Sequence, residues 1–530
     1  MPLLLREVSL SLDEDESVLG SKVAAYLGLE PDDIVNLRII RKGVDARKKS
    51  HLKRVYTLGF SVPDEQDVLH RFRSDHRLAA EEFQPVPEPE MVTAERHTVV
   101  VGSGPAGLFA ALRLARQGVR VTLLERGEPV EDRFKKVQSF WQTGEFDSGS
   151  NVQFGEGGAG TFSDGKLTTR VNSPQSRFIL QTFVDCGAPV EIMSEAKPHL
   201  GTDVLRRVLV NFRKMLTDAG VVIRFDSCLT DLVVRGNQVC GGIVNQGEEI
   251  LADCLVLAPG HSARDTYDML NQAGVLLEQK AFAVGFRVEH PAELINQIQY
   301  GLPAHKNLPT ADYSLSYNDG ETGRGVYSFC MCPGGEIITA PSEEGGLVVN
   351  GMSYRNRGRE WSNSALVVAV GPVDFPGSDA LAGVRFQRQW EQAAFVAGGS
   401  SYHAPAQNMV DFLGLGKGPV ESTCRPGVTE ADLGQLLPAV IVGALRRGIL
   451  QFDRKMKGFV TRQAVLVGVE TRTSAPLRIV RNKECESESH PGLYPAGEGA
   501  GYAGGIMSAA LDGLRVADRI IEKFSSWSDV

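Results

Sequence analysis

Apolar positions change their spacing at residue 102, and the change marks an element boundary. Val99, Val100 and Val101 form an unbroken apolar run, as a strand covered on both faces does. Beyond it Leu108, Ala111, Leu112 and Ala115 fall on one face of a helix. Between the two lie Gly102, Gly104 and Gly107 in the spacing G-x-G-x-x-G, with Pro105 and Ala106 at the helix start. A second apolar run, residues 119–124, ends in Glu125 and Arg126, with Glu125 standing 23 positions after Gly102. The pattern predicts strand, tight turn, helix, strand and acid, in that order.

That order suits a dinucleotide. Gly102 lets the backbone turn sharply, Gly104 has no side chain to hold a phosphate away, and Gly107 lets the helix pack close to the strand. The helix N-terminus carries about half a positive charge toward the phosphates, and a carboxylate at Glu125 can hold the two ribose hydroxyls. The motif by itself does not separate FAD from NAD(P).

The same reading organises the rest of the chain. Val8, Leu10 and Leu12 alternate as a strand, Leu19, Val23, Tyr26 and Leu27 keep helical spacing, and residues 34–41 and 56–62 read as two more strands. Residues 1–82 are therefore a small N-terminal α+β unit. Its basic run, residues 41–54, holds seven Lys and Arg and reads as a solvated hairpin loop, with an anion or RNA contact as the sharper alternative. Pro85, Pro87 and Pro89 make a stiff linker over residues 83–95. Residues 130–141 and 205–216 are predicted helices. Between them, residues 151–167 repeat G-x-G-x-x-G at Gly155, Gly157 and Gly160, but Ser163, Asp164 and Gly165 break any following helix. This is a loop whose backbone can lie against a flat ligand or a phosphate. Leu255, Val256 and Leu257 form a buried strand that stops at Ala258, Pro259 and Gly260, with His261 beyond it as a possible proton carrier.

From residue 281 strands such as AFAVGFRVEHP, YSFCMCPGGEIITA and GGLVVNGMS alternate with polar loops and a helix over 385–396, without another nucleotide turn. Residues 281–454 are read as an inserted mixed α+β substrate cap, with His290, Asn350, Ser353, Arg355 and Arg359 as candidate polar groups. Residues 96–280 and 455–530 make up the two parts of the dinucleotide unit. In the second part Gly497 and Glu498 lead into Gly504 and Gly505, and a helix starts near Ile506 with Ala509, Ala510, Leu514 and Ala517 on its packed face. The fold class is α/β: a Rossmann-like parallel sheet with helices, an inserted cap and the small N-terminal domain.

Composition narrows the function classes. Across 530 residues, 42% are apolar and 23% charged, with a net charge of −9, which argues against broad nucleic-acid coating. No apolar run is long enough to span a bilayer, and MPLLLREVSL is too soon charged for a secretory signal, so a cytoplasmic location is expected. Eight cysteines make no C-x-x-C, and Cys330 and Cys332 in FCMCPGG sit too close for an easy intrachain bridge and would share one strand face, so they read as buried packing thiols rather than a redox pair. No metal site is indicated.

GSGPAG with Glu125, the strand ending LAPG and the terminal AGEGAGYAGGI together resemble the FAD superfamily of glutathione reductase-type flavoproteins. Within it, FGEGGAGTFSDGKL, VGFRVEHP, VNGMS, GVETRTSAP and GLYPAGEGAGYAGGIMSAA are similar to the FAD-dependent dehydrogenases of bacteria and plastids. Those are distant relatives of electron-transfer-flavoprotein dehydrogenases and geranylgeranyl reductases. The resemblance implies non-covalent FAD, with Gly102, Gly104, Pro105, Ala106 and Gly107 at the pyrophosphate and Glu125 and Arg126 at the adenosine end. It implies Gly157, Gly158 and Ala159 along the isoalloxazine, with Gly260 nearby. Gly497 and Glu498 would lie at the ribityl chain, where the family usually has an aspartate, and Gly504, Gly505 and Ile506 by the flavin pyrimidine. The function this implies is an FAD-dependent oxidoreductase passing electrons between an organic substrate and a second carrier, either NADH or NADPH or a protein. Lys166 and Arg472 are the side chains expected to act beside the flavin, with Arg478 a weaker candidate. The alternative is a flavoprotein that modifies tRNA, gripping it through the basic N-terminal domain.

Overall fold

The computed structural model describes residues 2–82, 89–169 and 171–526; Pro85 and Pro87 of the expected linker lie outside the described residues. Among the described residues, a five-stranded parallel sheet runs in the order Leu493–Pro495, Cys254–Leu257, His97–Val101, Arg120–Leu124 and Val222–Arg224. Val99 pairs with Leu255 on one side and Thr122 on the other. The strand order therefore reverses beside His97–Val101, and a crevice opens at the carboxyl ends of the strands, where such sheets bind ligands.

Helices Pro105–Arg116, Gly201–Asp218 and Ile506–Ser526 bury one face of this sheet in a single apolar core. The first and last are in backbone contact, because a Cβ at Gly513 would lie 2.1 Å from the Ala106 carbonyl oxygen. The opposite face is covered by helix Arg264–Gln272 and an antiparallel meander of Leu229–Arg235, Gln238–Val244 and Glu248–Leu251.

The chain leaves this unit through Leu277–Gln279 and returns through Leu477–Ile479, and those two segments pair antiparallel. Between them lies a seven-stranded sheet in the order Ser316–Asn318, Gly325–Cys332, Trp361–Val370, Phe282–Pro291, Val465–Glu470, Ala404–Asn408 and Val428–Glu430. The boundary expected after residue 454 thus falls inside the cap: Val465–Glu470 pairs with Phe282–Pro291 and Ala404–Asn408. All six of its residues are buried, and a strand apolar on both faces belongs between two others. Helix Ala439–Lys455, which the sequence reading did not assign, packs Ile441, Val442, Leu445, Ile449 and Phe452 into the cap core.

The N-terminal unit is a four-stranded sheet in the order Val35–Asp45, Lys53–Ser61, Leu3–Leu10 and Leu78–Ala80, with helices Leu19–Leu27 and Glu65–Arg71. Its basic run is shorter as a loop than expected. Arg41 pairs with Thr57 and Asp45 with Lys53, so the strands extend well into it. Lys42 also pairs outward: its N–H donates to the Ser194 carbonyl at 2.7 Å, and its carbonyl accepts from the Ala196 N–H at 2.8 Å. The apolar residues scattered through the run explain this docking, since Val44, Ala46 and Leu52 pack against the cap core.

Candidate functional site

The carboxyl ends of the parallel strands, the glycine loop after residue 151 and the cap sheet enclose one cavity of about 370 Å³. Gly102, Gly104, Pro105 and Ala106 line it, and so do Gly158, Ala159 and Gly260. Glu498, Gly504 and Gly505 line it from the loop ahead of the C-terminal helix and Ile506 from that helix's first position, and Glu125, Arg126, Lys166 and Arg472 also stand on its wall. The two glycine turns, about 400 residues apart in sequence, open into the same space.

The first turn is shaped by what a side chain would hit. Gly102 has φ +95°, and a Cβ there would meet the Ala258 carbonyl oxygen at 2.2 Å. A Cβ on Gly107 would lie 1.8 Å from the Gly102 carbonyl oxygen, so the helix begins against its own turn. Gly158, at φ +62°, faces Gly104 so closely that a Cβ would be 3.3 Å from the Gly104 Cα. At Gly504 and Gly505 a Cβ would meet nothing within 4 Å, which leaves the backbone ahead of the last helix open to the cavity.

Three predicted residues, Gly107, Gly157 and Gly497, stand behind this wall. A Cβ at Gly157 would collide with Leu209 and Thr161, and one at Gly497 would lie 2.7 Å from the Ala106 Cβ. Among the polar candidates of the cap, Asn350 lines the cavity. His290 is buried against the Phe459 carbonyl, Arg355 pairs with Glu195 and Arg359 with Glu336. Arg478 stacks over Tyr502, with its guanidinium carbon 5.4 Å from the ring centre.

The acids and bases are held in distinct ways. The Glu125 carboxylate accepts from the Ser103 N–H at 2.9 Å and the Ser103 hydroxyl at 2.7 Å, and from the Gly127 and Gly155 N–H groups at 3.0 Å each. It therefore ties the first turn to the later glycine loop. Arg126 forms a two-point pair with Asp265 and lies over Phe154, 4.3 Å from the ring centre. Burial pushes the Glu498 carboxyl up to about 7, against the pull of Lys280. Burial holds His261 down to about 3, helped by Arg472 and Arg264, so its ring is neutral near pH 7.

Lys166 meets Asp164 at 2.9 Å and donates to the Met331 carbonyl. Burial works most strongly against its charge, but Asp164 together with the Cys332 and Cys330 sulfurs keeps the ammonium above its ordinary value. Asp164 in turn accepts from Arg357 at 2.6 Å and from the Ser353 hydroxyl. Arg472 is anchored differently: it makes a two-point pair with Glu391 and donates to Ser262 at 2.9 Å and Ser342 at 2.6 Å. Glu391 also accepts from Arg264 at 2.7 Å, so one buried carboxylate joins the helix after the LAPG strand to the cap. Burial would raise that carboxyl, but the two guanidiniums hold it well below the usual range.

Sequence reasoning missed part of the cap wall, namely Phe329, Cys330 and Glu470. Glu470 pairs with the buried Arg287 at 2.9 Å, and burial raises its carboxyl despite that partner. Both were visible as charges inside largely apolar runs, Arg287 in VGFRVEHP and Glu470 in VLVGVE, where a buried charge calls for a partner. Among the described residues no group of three or more His, Cys, Asp or Glu side chains is placed to hold a metal, and no helix is long and apolar enough to cross a membrane.

A reversing parallel sheet with two glycine turns on one crevice defines a Rossmann-type dinucleotide-binding protein. Residues 97–148 match an FAD binding domain, residues 281–473 match "FAD-dependent protein, C-terminal domain-like", and residues 4–61 match a domain of unknown function. An uncharacterised protein of Clostridium beijerinckii is 46% identical over 531 residues, covering 99% of each chain. The chain belongs to the same family as that protein, and its matched domains make it an FAD-dependent flavoprotein. An FAD-dependent monooxygenase of Hypoxylon pulicicidum is 29% identical over 183 residues, 33% of this chain and 39% of that one. A geranylgeranyl bacteriochlorophyll reductase-like structure from Thermoplasma acidophilum shows 13% identity and a TM-score of 0.35, covering 82% of this chain and 80% of that one.

The residues present fit FAD. Gly102, Gly104, Gly158, Gly504 and Gly505 present bare backbone to the cavity and two helix N-termini face it, the donors a pyrophosphate needs.

Proposed function

We propose that this protein is an FAD-dependent oxidoreductase that passes electrons between a small organic substrate and a second carrier, with NADH or NADPH as transient donor. One observation carries the reading: Gly104 and Gly505, from opposite ends of the chain, face a single cavity whose other wall bears Lys166, Glu470 and Arg472. FAD supplies the two-electron sink when bound. Gly102, Gly104 and the start of helix Pro105–Arg116 take the pyrophosphate, and Glu125 and Arg126 bound the adenosine end. The Glu125 carboxylate already accepts four hydrogen bonds from the protein itself, so a ribose hydroxyl would share or displace the Ser103 hydroxyl.

Glu498 occupies the ribityl position and, with its carboxyl near 7, can hold or release a proton there at neutral pH. The Lys166 ammonium is kept charged by Asp164 and remains partly open to the cavity, where it can stabilise negative charge on reduced flavin or on a substrate oxygen. Arg472 positions rather than reacts, because its donors are spent on Glu391, Ser262 and Ser342. The resemblance to dehydrogenases and geranylgeranyl reductases agrees with a hydride-handling flavin but names no substrate. The tRNA-modifying alternative draws less support, since the backbone of Lys42 and the apolar residues of the basic run are engaged inside the molecule.

The test is to purify the protein, identify the nucleotide released on denaturation, and follow anaerobic bleaching with NADH and NADPH separately. Released FAD and bleaching by one of the two are expected. A preparation that neither contains nor binds FAD would overturn the reading.

A further inference from the structure

Strand Gly325–Cys332 breaks its register where it meets the cavity. Phe329 pairs with Ala365 and Cys332 with Asn363, so three steps on one strand face two on the other. The extra residue makes a bulge, and Cys330 takes it up at φ +44°, a left-handed conformation that few side-chain-bearing residues adopt. Bulges re-aim side chains, and this one turns Cys330 onto the cavity wall while Cys332 stays buried behind it.

The bulge is held from three directions. Arg287 donates to the Cys330 carbonyl at 3.2 Å, Lys166 donates to the Met331 carbonyl, and the Cys332 thiol lies 3.5 Å from the Cys330 carbonyl. Room for the second sulfur comes from Gly351, where a Cβ would lie 2.8 Å from the Cys332 Sγ. The two thiols stand on the bulge with a single residue between them, the Cys332 Sγ against the Cys330 carbonyl. The Cys332 side chain, with the Lys166 and Arg287 cations, draws the Cys330 thiol below its ordinary value, while the Cys330 side chain and burial raise Cys332. By contrast, burial raises Cys186, Cys228, Cys254, Cys424 and Cys485, none of which lines the cavity.

Resting on the flavin reading above, we infer that Cys330 and Cys332 are a dithiol–disulfide couple that exchanges an electron pair with flavin in this cavity, making the second carrier a part of the chain itself. In the oxidising direction the Cys330 and Cys332 S–H bonds break and one S–S bond forms. The thiols give up two protons and two electrons; oxidised flavin accepts the electron pair and one proton, and the other proton goes to solvent. The reverse direction balances with the same atoms. The chemistry that could reload the couple from outside is a small thiol or disulfide admitted to the cavity.

The full-length protein with its FAD is titrated anaerobically with dithionite after mild oxidation, and thiol alkylation is followed by peptide mass spectrometry across pH. Wild type should take up two more electrons per flavin than either Cys330→Ser or Cys332→Ala. At pH 6.5 Cys330 should react with iodoacetamide about tenfold faster than the buried cysteines, and Cys332→Ala should shrink that advantage, because it removes the side chain that draws the Cys330 thiol down most. Melting curves show whether the variants are folded; should Cys332→Ala not fold, the alkylation profile and the wild-type electron count still decide. A yellow wild type that takes up only the electrons its flavin accounts for, with Cys330 no faster than its neighbours, overturns the couple and leaves the flavin reading standing. A protein that binds no FAD overturns both.

Discussion

The cavity has two walls, and they are built by opposite means. On the dinucleotide side the wall is backbone: Gly102, Gly104, Gly158, Gly504 and Gly505 bring N–H groups and helix ends forward by having no side chain. The facing wall, built by the cap and by the end of the glycine loop, is side chain: Lys166 leans on Asp164, Glu470 on Arg287 and Arg472 on Glu391, each a charge held in place by another. A backbone wall makes contacts that carry no side-chain identity. A wall of paired charges can be retuned one residue at a time, and it is where the substrate and the direction of electron flow are to be sought.

Breaking the charged wall should have the largest effect. Glu391→Ala leaves Arg264 and Arg472 buried without their shared carboxylate, and about 3–5 kcal/mol of stability should be lost in denaturant unfolding. Gly107→Ala tests the backbone wall: its Cβ would overlap the Gly102 carbonyl, so about 1–3 kcal/mol of stability and most of the bound FAD should go together, read by unfolding and by the FAD absorbance of the purified protein.

A smaller effect distinguishes the walls by pH. The Glu498 carboxyl rises from an ordinary 4.5 to about 7 on folding, so between those values the folded chain holds a proton that the unfolded chain has released. Its contribution to stability is complete below pH 4.5 and is lost as the pH climbs through 7. Melting temperature measured without FAD from pH 5 to 8 should fall less steeply in Glu498→Gln than in wild type. Smallest of all, replacing Lys48 and Lys49 by alanine should change stability by no more than about 0.5 kcal/mol, and the wild-type protein should show no RNA affinity at low salt.

The two walls were also unequally legible in the sequence. Glycines at fixed offsets between a strand and a helix announce a turn, because local sterics decide it, and Gly102, Gly104 and Glu125 could be placed from spacing alone. Gly157 and Gly497 carried the same local signal but turned out to face Leu209 and Ala106, since which side of a loop meets the cavity depends on packing by distant helices. Cys330 was read as a packing thiol on a regular strand face, and what changes its direction is a bulge set by pairing with Ala365 and Asn363, more than thirty residues later. The cap boundary failed for a related reason: Val465–Glu470 looks like any buried strand until its partners are known. Short-range chemistry was readable, whereas register and partner choice were not.

The account depends on both glycine turns gripping one nucleotide. The most direct check is an FAD titration, by quenching of flavin fluorescence, of wild type, Gly104→Val and Gly505→Val. Saturation at one FAD per chain, weakened by each substitution alone, is the expected result. A chain in which Gly104→Val abolishes binding while Gly505→Val binds as wild type does would contradict it.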